Sequence, residues 1–191
     1  MKKTILAALL GLACASAFAG VIHFDDLSGD PAAAIDNGYA GFNWDNIATI
    51  REDAYPGSGY AAGTVSHANT AYNMDGGTAA IRRAGAFDVV GAWFTSAWFE
   101  QELAFDAYRD GQLLYSSAVS TVIDTATPVW VGLGWTGIDT LVIYNSSGTQ
   151  WAMDDLTVNV TEPASVPEPA TLALFGVALV GMGAGRRKKR G

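Results

Sequence analysis

Two acidic pairs are the residues of this sequence best suited to hold a metal ion. Asp25 and Asp26 stand near the start of the chain, and Asp154 and Asp155 stand far downstream. Calcium takes about six to eight hard oxygen ligands from carboxylates, backbone carbonyls and water. These four carboxylates are therefore candidate calcium ligands, on condition that the fold brings the two pairs together. The alternative interpretation is that one Asp of each pair caps a turn and the other is solvated.

The aromatic residues offer a second kind of chemistry. All six tryptophans lie between Trp44 and Trp151, and the sequence also contains seven tyrosines. An aromatic face can stack on a sugar ring, while the polar tip of Tyr or Trp hydrogen-bonds a hydroxyl group. Trp44 and Tyr60 stand in turn-rich sequence, where a site is exposed, and we predict them as glycan contacts. For most of the other tryptophans we expect ordinary core packing.

Catalytic constellations are harder to find. Glu100 and Glu102 are two residues apart and share one face of a strand, but a solvated sheet face explains this spacing equally well. His23 and His67 are not in a metal-binding spacing, and no Gly-x-Ser-x-Gly turn is present. The only cysteine is Cys14. We therefore expect that the protein is not an enzyme. The alternative, a glycan-active enzyme, needs two carboxylates facing each other across a groove.

Charges are distributed unevenly along the 191 residues. Lys2 and Lys3 stand at the start, and five basic residues stand at 186–190. The stretch between them holds four arginines against all 19 acidic residues, hence a net charge of −15. So acidic a body excludes nucleic acid as a partner, because it would repel the phosphate backbone, and it is compatible with bound cations. The chain length is that of one ordinary domain.

Short β-rich runs separated by Gly, Asn, Asp and Ser fill residues 20–160. In one run Leu103, Phe105 and Ala107 alternate with polar or small neighbours, and Asp110-Gly111 is a strong hairpin signal. The predicted strands are Val21–Phe24, Gly41–Trp44, Thr78–Arg82, Ala86–Trp93, Glu102–Arg109, Gln112–Val122, Val129–Gly132, Asp139–Tyr144 and Gln150–Val160. This pattern predicts an all-β fold, an antiparallel β-sandwich of jelly-roll type. The first and last strands of a jelly roll usually pair, which would bring the two acidic pairs together.

The N-terminus has the features of a signal peptide over residues 1–19. Lys2 and Lys3 precede a short apolar stretch, and Ala17-Phe18-Ala19 forms a small-x-small site. We expect export through the Sec translocon and cleavage by signal peptidase between Ala19 and Gly20. The mature body then contains no cysteine and forms no disulfide.

The C-terminus has the features of a temporary membrane anchor. Residues 161–166 read as a linker, and residues 170–185 are almost entirely apolar. A helix of this length spans ~24 Å, which snorkelling flanking side chains can fit to a bilayer core of ~30 Å. The basic residues that follow should stay cytoplasmic and leave the body periplasmic, anchored in the inner membrane. They are Arg186, Arg187, Lys188, Lys189 and Arg190.

This tail resembles a known sorting signal. Pro167-Glu168-Pro169, a short apolar helix and a terminal basic cluster, in that order over residues 167–191, are similar to the PEP-CTERM signal of Gram-negative bacteria. The resemblance implies recognition by exosortase, a membrane-embedded cysteine protease of the transpeptidase type, with processing near Pro167, Glu168 and Pro169. It also implies release to the cell surface or medium and association with exopolysaccharide or biofilm. The same tail occurs on many different bodies.

The body carries a second, shorter resemblance. Phe24-Asp25-Asp26-Leu27 at its start and Trp151-Ala152-Met153-Asp154-Asp155 at its end resemble secreted jelly-roll domains related to carbohydrate-binding modules. That resemblance implies a structural calcium and contact with extracellular polysaccharide. We therefore expect a non-catalytic surface or matrix component that binds carbohydrate. A purely structural surface protein without a ligand is the alternative.

Overall fold

A computed structural model describes residues 17–28 and 31–161 of the chain. Ala17–Thr161 form one compact unit. Most of the predicted signal peptide, the linker after Thr161, the sorting motif, the 170–185 span and the basic cluster lie outside the described residues. Among the described residues, no helix has the length and apolar character needed to cross a membrane.

The unit is all-β and antiparallel, with one short helix. Its strands are β1 Ala17–Ile22, β2 Ala32–Ala34, β3 Asn43–Asp45, β4 Ile47–Arg51, β5 Asn69–Asn73, β6 Ala79–Ser96, β7 Gln101–Arg109, β8 Gln112–Ser116, β9 Thr121–Ile123, β10 Val129–Asn145 and β11 Trp151–Thr161. The helix α1 spans Gly59–Gly63, and a 3-10 turn spans Tyr39–Gly41.

The strands form the two layers of a β-sandwich, and two long strands connect these layers. Strands β6 and β10 pair with each other as a two-stranded ribbon, with register shifts between Gly132 and Thr140. At one end of this ribbon β6 pairs with β3 and β10 pairs with β7, which carries β8 and β9 on its other edge. At the other end β6 pairs with β11, and the order continues through β5 and β4 to β2. β-Bulges bend strands, so the ribbon passes from one layer of the sandwich to the other.

The main core lies between these layers. Phe105 of β7 packs edge to face on Phe94 of β6 at 5.6 Å between ring centroids, and Phe94 packs on Trp151 of β11 at 5.7 Å. All three rings are buried. Leu103, Phe105 and Ala107 face this core, which confirms the alternation seen in the sequence. Burial of such side chains contributes ~1.5–3 kcal/mol each.

A second, smaller core forms under α1. It consists of Ile50, Tyr60, Ala97 and Ala152. The helix lies very close to β6: a Cβ on Gly59 would stand 1.7 Å from the carbonyl oxygen of Ser96, and one on Gly63 would stand 2.2 Å from Thr95 Oγ1. Only glycine permits this approach. Helix α1 is absent from the sequence prediction because five residues give no helical period.

Several predicted strands have different bounds in the structure. The two runs around Thr78–Trp93 are one strand, β6, and the two runs within 129–144 are one strand, β10. Bulges let a strand change direction without ending its ladder, so the Gly-rich breaks do not end these strands. The predicted Gln112–Val122 strand is divided into β8 and β9. Strands β2, β4 and β5 are additional.

The first and last strands pair, as expected for a jelly roll. β1 lies antiparallel to β11, with Gly20 opposite Val158 and Ile22 opposite Leu156. Because β1 begins at Ala17, the predicted cleavage position between Ala19 and Gly20 falls inside this strand.

Candidate functional site

Three loops at one end of the sandwich form a shallow depression with exposed aromatic rings. Loop 52–58 follows β4, loop 97–100 connects β6 to β7, and loop 124–128 connects β9 to β10. The depression has a volume of about 300 Å³. Its lining residues are Ala54, Tyr55, Pro56, Gly57, Ser58, Ala97, Trp98 and Thr125.

Tyr55 and Trp98 supply its aromatic surface. Their side chains are 48% and 43% exposed, and their rings pack edge to face with centroids 5.6 Å apart at 79°. Tyr60 supports both rings from below, at 5.9 Å from Tyr55 and 5.6 Å from Trp98. Burial raises the pKa of the Tyr60 hydroxyl above its ordinary value. It therefore stays protonated, so that the exposed pair rests on a neutral, buried ring.

Backbone and hydroxyl contacts hold the three loops in place. The N–H of Gly59 donates to the carbonyl of Ala97 at 3.0 Å, and Thr95 Oγ1 donates to the carbonyl of Gly59 at 2.6 Å. Ser58 Oγ donates to the carbonyl of Tyr55 at 2.7 Å. The N–H of Ser96 donates to the carbonyl of Asp124 at 2.8 Å. The aromatic pair is thus mounted on strand ends and on the small core under α1.

The carboxylate of Asp124 shapes the third loop. It accepts the backbone N–H groups of Ala126 and Thr127, both at 2.8 Å. These two bonds, that of Thr127 first, hold the pKa of Asp124 below its ordinary value. Asp in this position stabilises a tight turn, which places Thr125 at the wall of the depression.

The two glycan contacts proposed from the sequence lie in the interior. Trp44 is 6% exposed and packs among Phe24, Tyr39 and Phe42, with Nε1 donating to the carbonyl of Tyr39 at 3.1 Å. Tyr60 is 3% exposed. Neither ring presents a face to solvent, which corrects that assignment. The turn-rich sequence around Tyr60 does contain an exposed ring, but it is Tyr55.

The sequence prediction assigned Trp98, like most of the other tryptophans, to core packing, and its exposure was not predicted. Its position in Trp98-Phe99-Glu100, between two strongly alternating runs, could have indicated an exposed connection. A connection this short at a strand end must run over the surface. Phe99 is 72% exposed for the same reason.

The acidic pairs enter separate networks of protein hydrogen bonds. Asp154 is fully buried and accepts the N–H groups of Val65 at 2.7 Å and Ser66 at 2.8 Å, together with that of Asp155 at 2.7 Å. The Ser66 hydroxyl also contacts both of its oxygens at 3.2 Å. Burial, the largest effect, raises the pKa of Asp154 to about 6 although these bonds oppose it. This carboxylate fastens the segment after α1 to β11.

The other three carboxylates have different partners. Asp155 Oδ1 lies 2.6 Å from His23 Nδ1, Asp26 accepts the hydroxyl of Tyr39 at 2.7 Å, and Asp25 accepts the N–H of Asn69 at 3.1 Å. Within residues 17–28 and 31–161, no group of three or more His, Cys, Asp or Glu side chains is arranged to hold a metal ion. Calcium at the four Asp residues stays a prediction.

A second groove lies beside β1. It has a volume of about 650 Å³ and an apolar floor that includes Phe42, Val158 and Val160. His23, Asp25, Asp26 and Tyr39 stand among its lining residues. One acidic pair, Asp25 and Asp26, stands in the wall of this groove. The depression near Trp98 is instead lined by exposed aromatic rings. The groove and the depression therefore differ in chemistry.

The fold and the loop-end depression together define the class of protein: an antiparallel β-sandwich that exposes an aromatic pair, Tyr55 and Trp98, at one end. Residues 165–189 match the family model described as the PEP-CTERM protein-sorting motif, so the chain carries that motif, as its sequence indicated. No curated protein matches the chain.

Solved structures of carbohydrate-binding modules resemble the body. The CBM22-1 xylan-binding domain of Paenibacillus barcinonensis Xyn10C is 10% identical, with 79% of this chain and 99% of that one covered and a TM-score of 0.44. The N-terminal CBM22-1-CBM22-2 tandem domain of the same Xyn10C is 9% identical, with 84% of this chain and 50% of that one covered and a TM-score of 0.43. TmCBM61 in complex with β-1,4-galactotriose is 10% identical, with coverages of 73% and 94% and a TM-score of 0.34.

Proposed function

We propose that this chain is an exported protein, processed by exosortase, whose β-sandwich binds polysaccharide without catalysis at the cell surface or in the extracellular matrix. The sorting motif at residues 165–189 supports the route. The exposed pair of Tyr55 and Trp98 in the loop-end depression is the observation that supports the binding activity.

The geometry of the aromatic pair suits a sugar chain. An edge-to-face pair presents two ring surfaces at an angle, each able to cover the apolar face of one sugar ring, while loop backbone and Thr125 offer polar partners for hydroxyl groups. Ligand sites commonly have volumes of about 300–1,000 Å³, so this depression holds a short segment of a polymer. Because the stretch that includes it carries a net charge of −15, a neutral polysaccharide is favoured over a uronic-acid polymer.

The route places this activity outside the inner membrane. The Sec translocon and signal peptidase deliver a body beginning at Gly20, the 170–185 span holds it in the inner membrane, and exosortase cuts near Glu168. A body so released acts on polymers made or retained outside the cell. Calcium, if it binds at the Asp pairs, has a structural role, because those side chains are absent from the lining of the aromatic depression.

Binding can be tested on residues 20–161, which contain the complete core of the compact unit. Calorimetry with cello-, xylo- and galacto-oligosaccharides, in calcium and in chelator, should show binding to at least one neutral ligand and none to oligogalacturonate. Trp98→Ala and Tyr55→Ala should each weaken it at least tenfold. Trp130→Ala is the matched control, since Trp130 is also 40% exposed but lies on β10, outside the depression.

Three results would overturn the proposal. Absence of binding to every neutral oligosaccharide and to the producing cell's own exopolysaccharide would favour a purely structural surface protein. Equal weakening by the Trp98 and Trp130 variants would place the ligand elsewhere. Release of reducing ends in the same samples would point to the alternative of a glycan-active enzyme, with Asp25 and Asp26 in the second groove as the carboxylates to substitute.

A further inference from the structure

The groove beside β1 combines an apolar floor with an acidic wall. Its volume of about 650 Å³ lies within the range of sites that bind small molecules. Val158 and Val160 of β11 form the floor together with Phe42, and Val21 of β1 borders it with a side chain that is 44% exposed. The groove therefore offers an apolar surface and a volume that a small ligand can fill.

Asp25 and Asp26 make the wall acidic. Both residues are exposed, and each accepts a hydrogen bond from the protein. Asp25 accepts the N–H of Asn69 at 3.1 Å, and Asp26 accepts the hydroxyl of Tyr39 at 2.7 Å. Because an ionised carboxylate has about four acceptor positions, both side chains keep the capacity to bind a ligand.

The groove provides little positive charge to balance this wall. Among the described residues that line it there is no Lys and no Arg. His23 also lines the groove, but its Nδ1 lies 2.6 Å from the carboxylate of Asp155, which offsets the charge of a protonated ring. The stretch that contains the groove carries a net charge of −15. The negative potential at the wall therefore favours a cationic ligand.

The core holds the acidic wall in place. Phe24, which precedes the two carboxylates, has a φ of 64°, a conformation that is rare for a bulky residue. Its ring is fully buried and packs edge to face on Trp44 at 5.6 Å between centroids. Burial, followed by the bond to Asp26, raises the pKa of Tyr39 above its ordinary value, so its hydroxyl stays protonated and keeps donating to Asp26. A wall fixed in this way loses little conformational freedom when a ligand binds.

Floor and wall together determine the chemistry of the ligand. An inorganic cation gains nothing from the apolar floor, and an uncharged apolar molecule leaves the carboxylates without a new partner. An alkylammonium ion matches both, because its ammonium group donates three hydrogen bonds and its methylene chain buries apolar area. Aliphatic amines are protonated at neutral pH, as the Lys side chain is. The volume of the groove favours a free amine over a protein partner, whose contact surface would be much larger.

We propose that this groove binds a small aliphatic amine, with its ammonium group at the carboxylates of Asp25 and Asp26 and its alkyl chain along Val158 and Val160. The groove shares no described lining residue with the depression at Trp98. Amine binding is therefore independent of glycan binding, and a negative result for one ligand leaves the measurement of the other unaffected.

Calorimetry with residues 17–161, the compact unit, tests the class of ligand. Low ionic strength and chelator keep salt from screening the carboxylates and calcium from binding them. Hexylamine should bind about tenfold more tightly than butylamine, because two more methylene groups are buried. Hexan-1-ol should bind at least tenfold more weakly than hexylamine, and hexanoate should not bind. Equal affinities of the two amines would indicate nonspecific attraction to an acidic body, and equal binding of hexan-1-ol would indicate a site for uncharged ligands; either result would refute the proposal.

Variants of the wall test the location. Asp25→Asn and Asp26→Asn should each weaken hexylamine binding at least fivefold. Asp53→Asn, which removes one charge from a side chain 62% exposed outside the groove, should leave the affinity unchanged. Val21→Lys introduces a competing cation and should abolish binding, whereas Val119→Lys, at a residue 79% exposed outside the groove, should not. Equal effects of a wall variant and its control would assign the amine to another surface and overturn the proposal. The comparison of amines on the wild-type unit holds even where a variant does not fold.

Discussion

Replacement of the buried carboxylate of Asp154 tests the electrostatic reasoning most directly. Asp154→Asn keeps the shape of the side chain and removes its ability to ionise. The carboxylate lies at 0% exposure on β11 and accepts backbone N–H groups from Val65, Ser66 and Asp155. Burial favours the protonated form, and the hydrogen bonds favour the ionised form. The variant therefore shows which of the two effects is larger.

The structure supplies the magnitude. Burial raises the pKa of Asp154 from 3.8 to about 6, which corresponds to ~3 kcal/mol at 1.36 kcal/mol per pH unit. Since the folded pKa exceeds that of the unfolded chain, the folded state binds this proton more tightly. The resulting stabilisation is complete below pH 3.8 and is lost as the pH rises through about 6. Asn at this position has no proton to lose.

Urea unfolding at pH 4 and pH 7.5 provides the assay. We expect the wild-type protein to be more stable than Asp154→Asn by an amount that is about 2–3 kcal/mol larger at pH 4 than at pH 7.5. Wild type and Asp154→Asn contain the same other titratable groups. The effect of those groups therefore cancels in the difference between the two unfolding free energies. Asp53→Asn, at a carboxylate 62% exposed, controls for the loss of one negative charge from an acidic body.

The opposite pH dependence would refute this reasoning. If the difference between wild type and Asp154→Asn grew from pH 4 to pH 7.5, the hydrogen bonds from Val65, Ser66 and Asp155 would outweigh burial. The pKa of Asp154 would then lie below its ordinary value. A difference independent of pH would mean that Asp154 titrates alike in the folded and unfolded chains.

Three further predictions concern packing, sorting and calcium. Gly63→Ala should destabilise the unit by ~1–3 kcal/mol in urea unfolding, because its Cβ would stand 2.2 Å from Thr95 Oγ1 and 3.0 Å from Ala152 Cβ; an unchanged midpoint would show that α1 can shift. Alanine at Pro167, Glu168 and Pro169 should leave an unprocessed form in the membrane fraction, and normal release would contradict the sorting role. Calcium at the Asp pairs predicts a higher melting temperature in calcium than in chelator; equal temperatures would argue against it.

The fold class could be predicted because β-strands leave a local signature. The alternation of Leu103, Phe105 and Ala107 places every second side chain in the core, and Asp110-Gly111 supplies the positive φ of a hairpin turn, as observed. The length of β6 could not be predicted, since its continuity depends on pairing with a distant strand. α1 was missed because it is stabilised by contacts with β6 and β11 and has little helical preference of its own.

The candidate site shows a similar limit. The sequence identified loop aromatics as the kind of residue to look for, yet it selected Trp44 and Tyr60, which are buried. Exposure depends on which side of a turn faces the core, and that is decided by neighbours far apart in the chain. Tyr60 is covered by Tyr72 and the small core under α1, whereas Tyr55, five residues earlier, lies outside that cover.

The sequence by itself determined the sorting tail, the strongly acidic body and the β architecture. These properties reside in composition, in residue order over short spans and in the two-residue period of strands, none of which needs a distant partner. The tertiary structure alone decided the pairing of Tyr55 with Trp98 and the burial of Asp154. Each of these depends on contacts between segments dozens of residues apart, which the packing of the two layers creates.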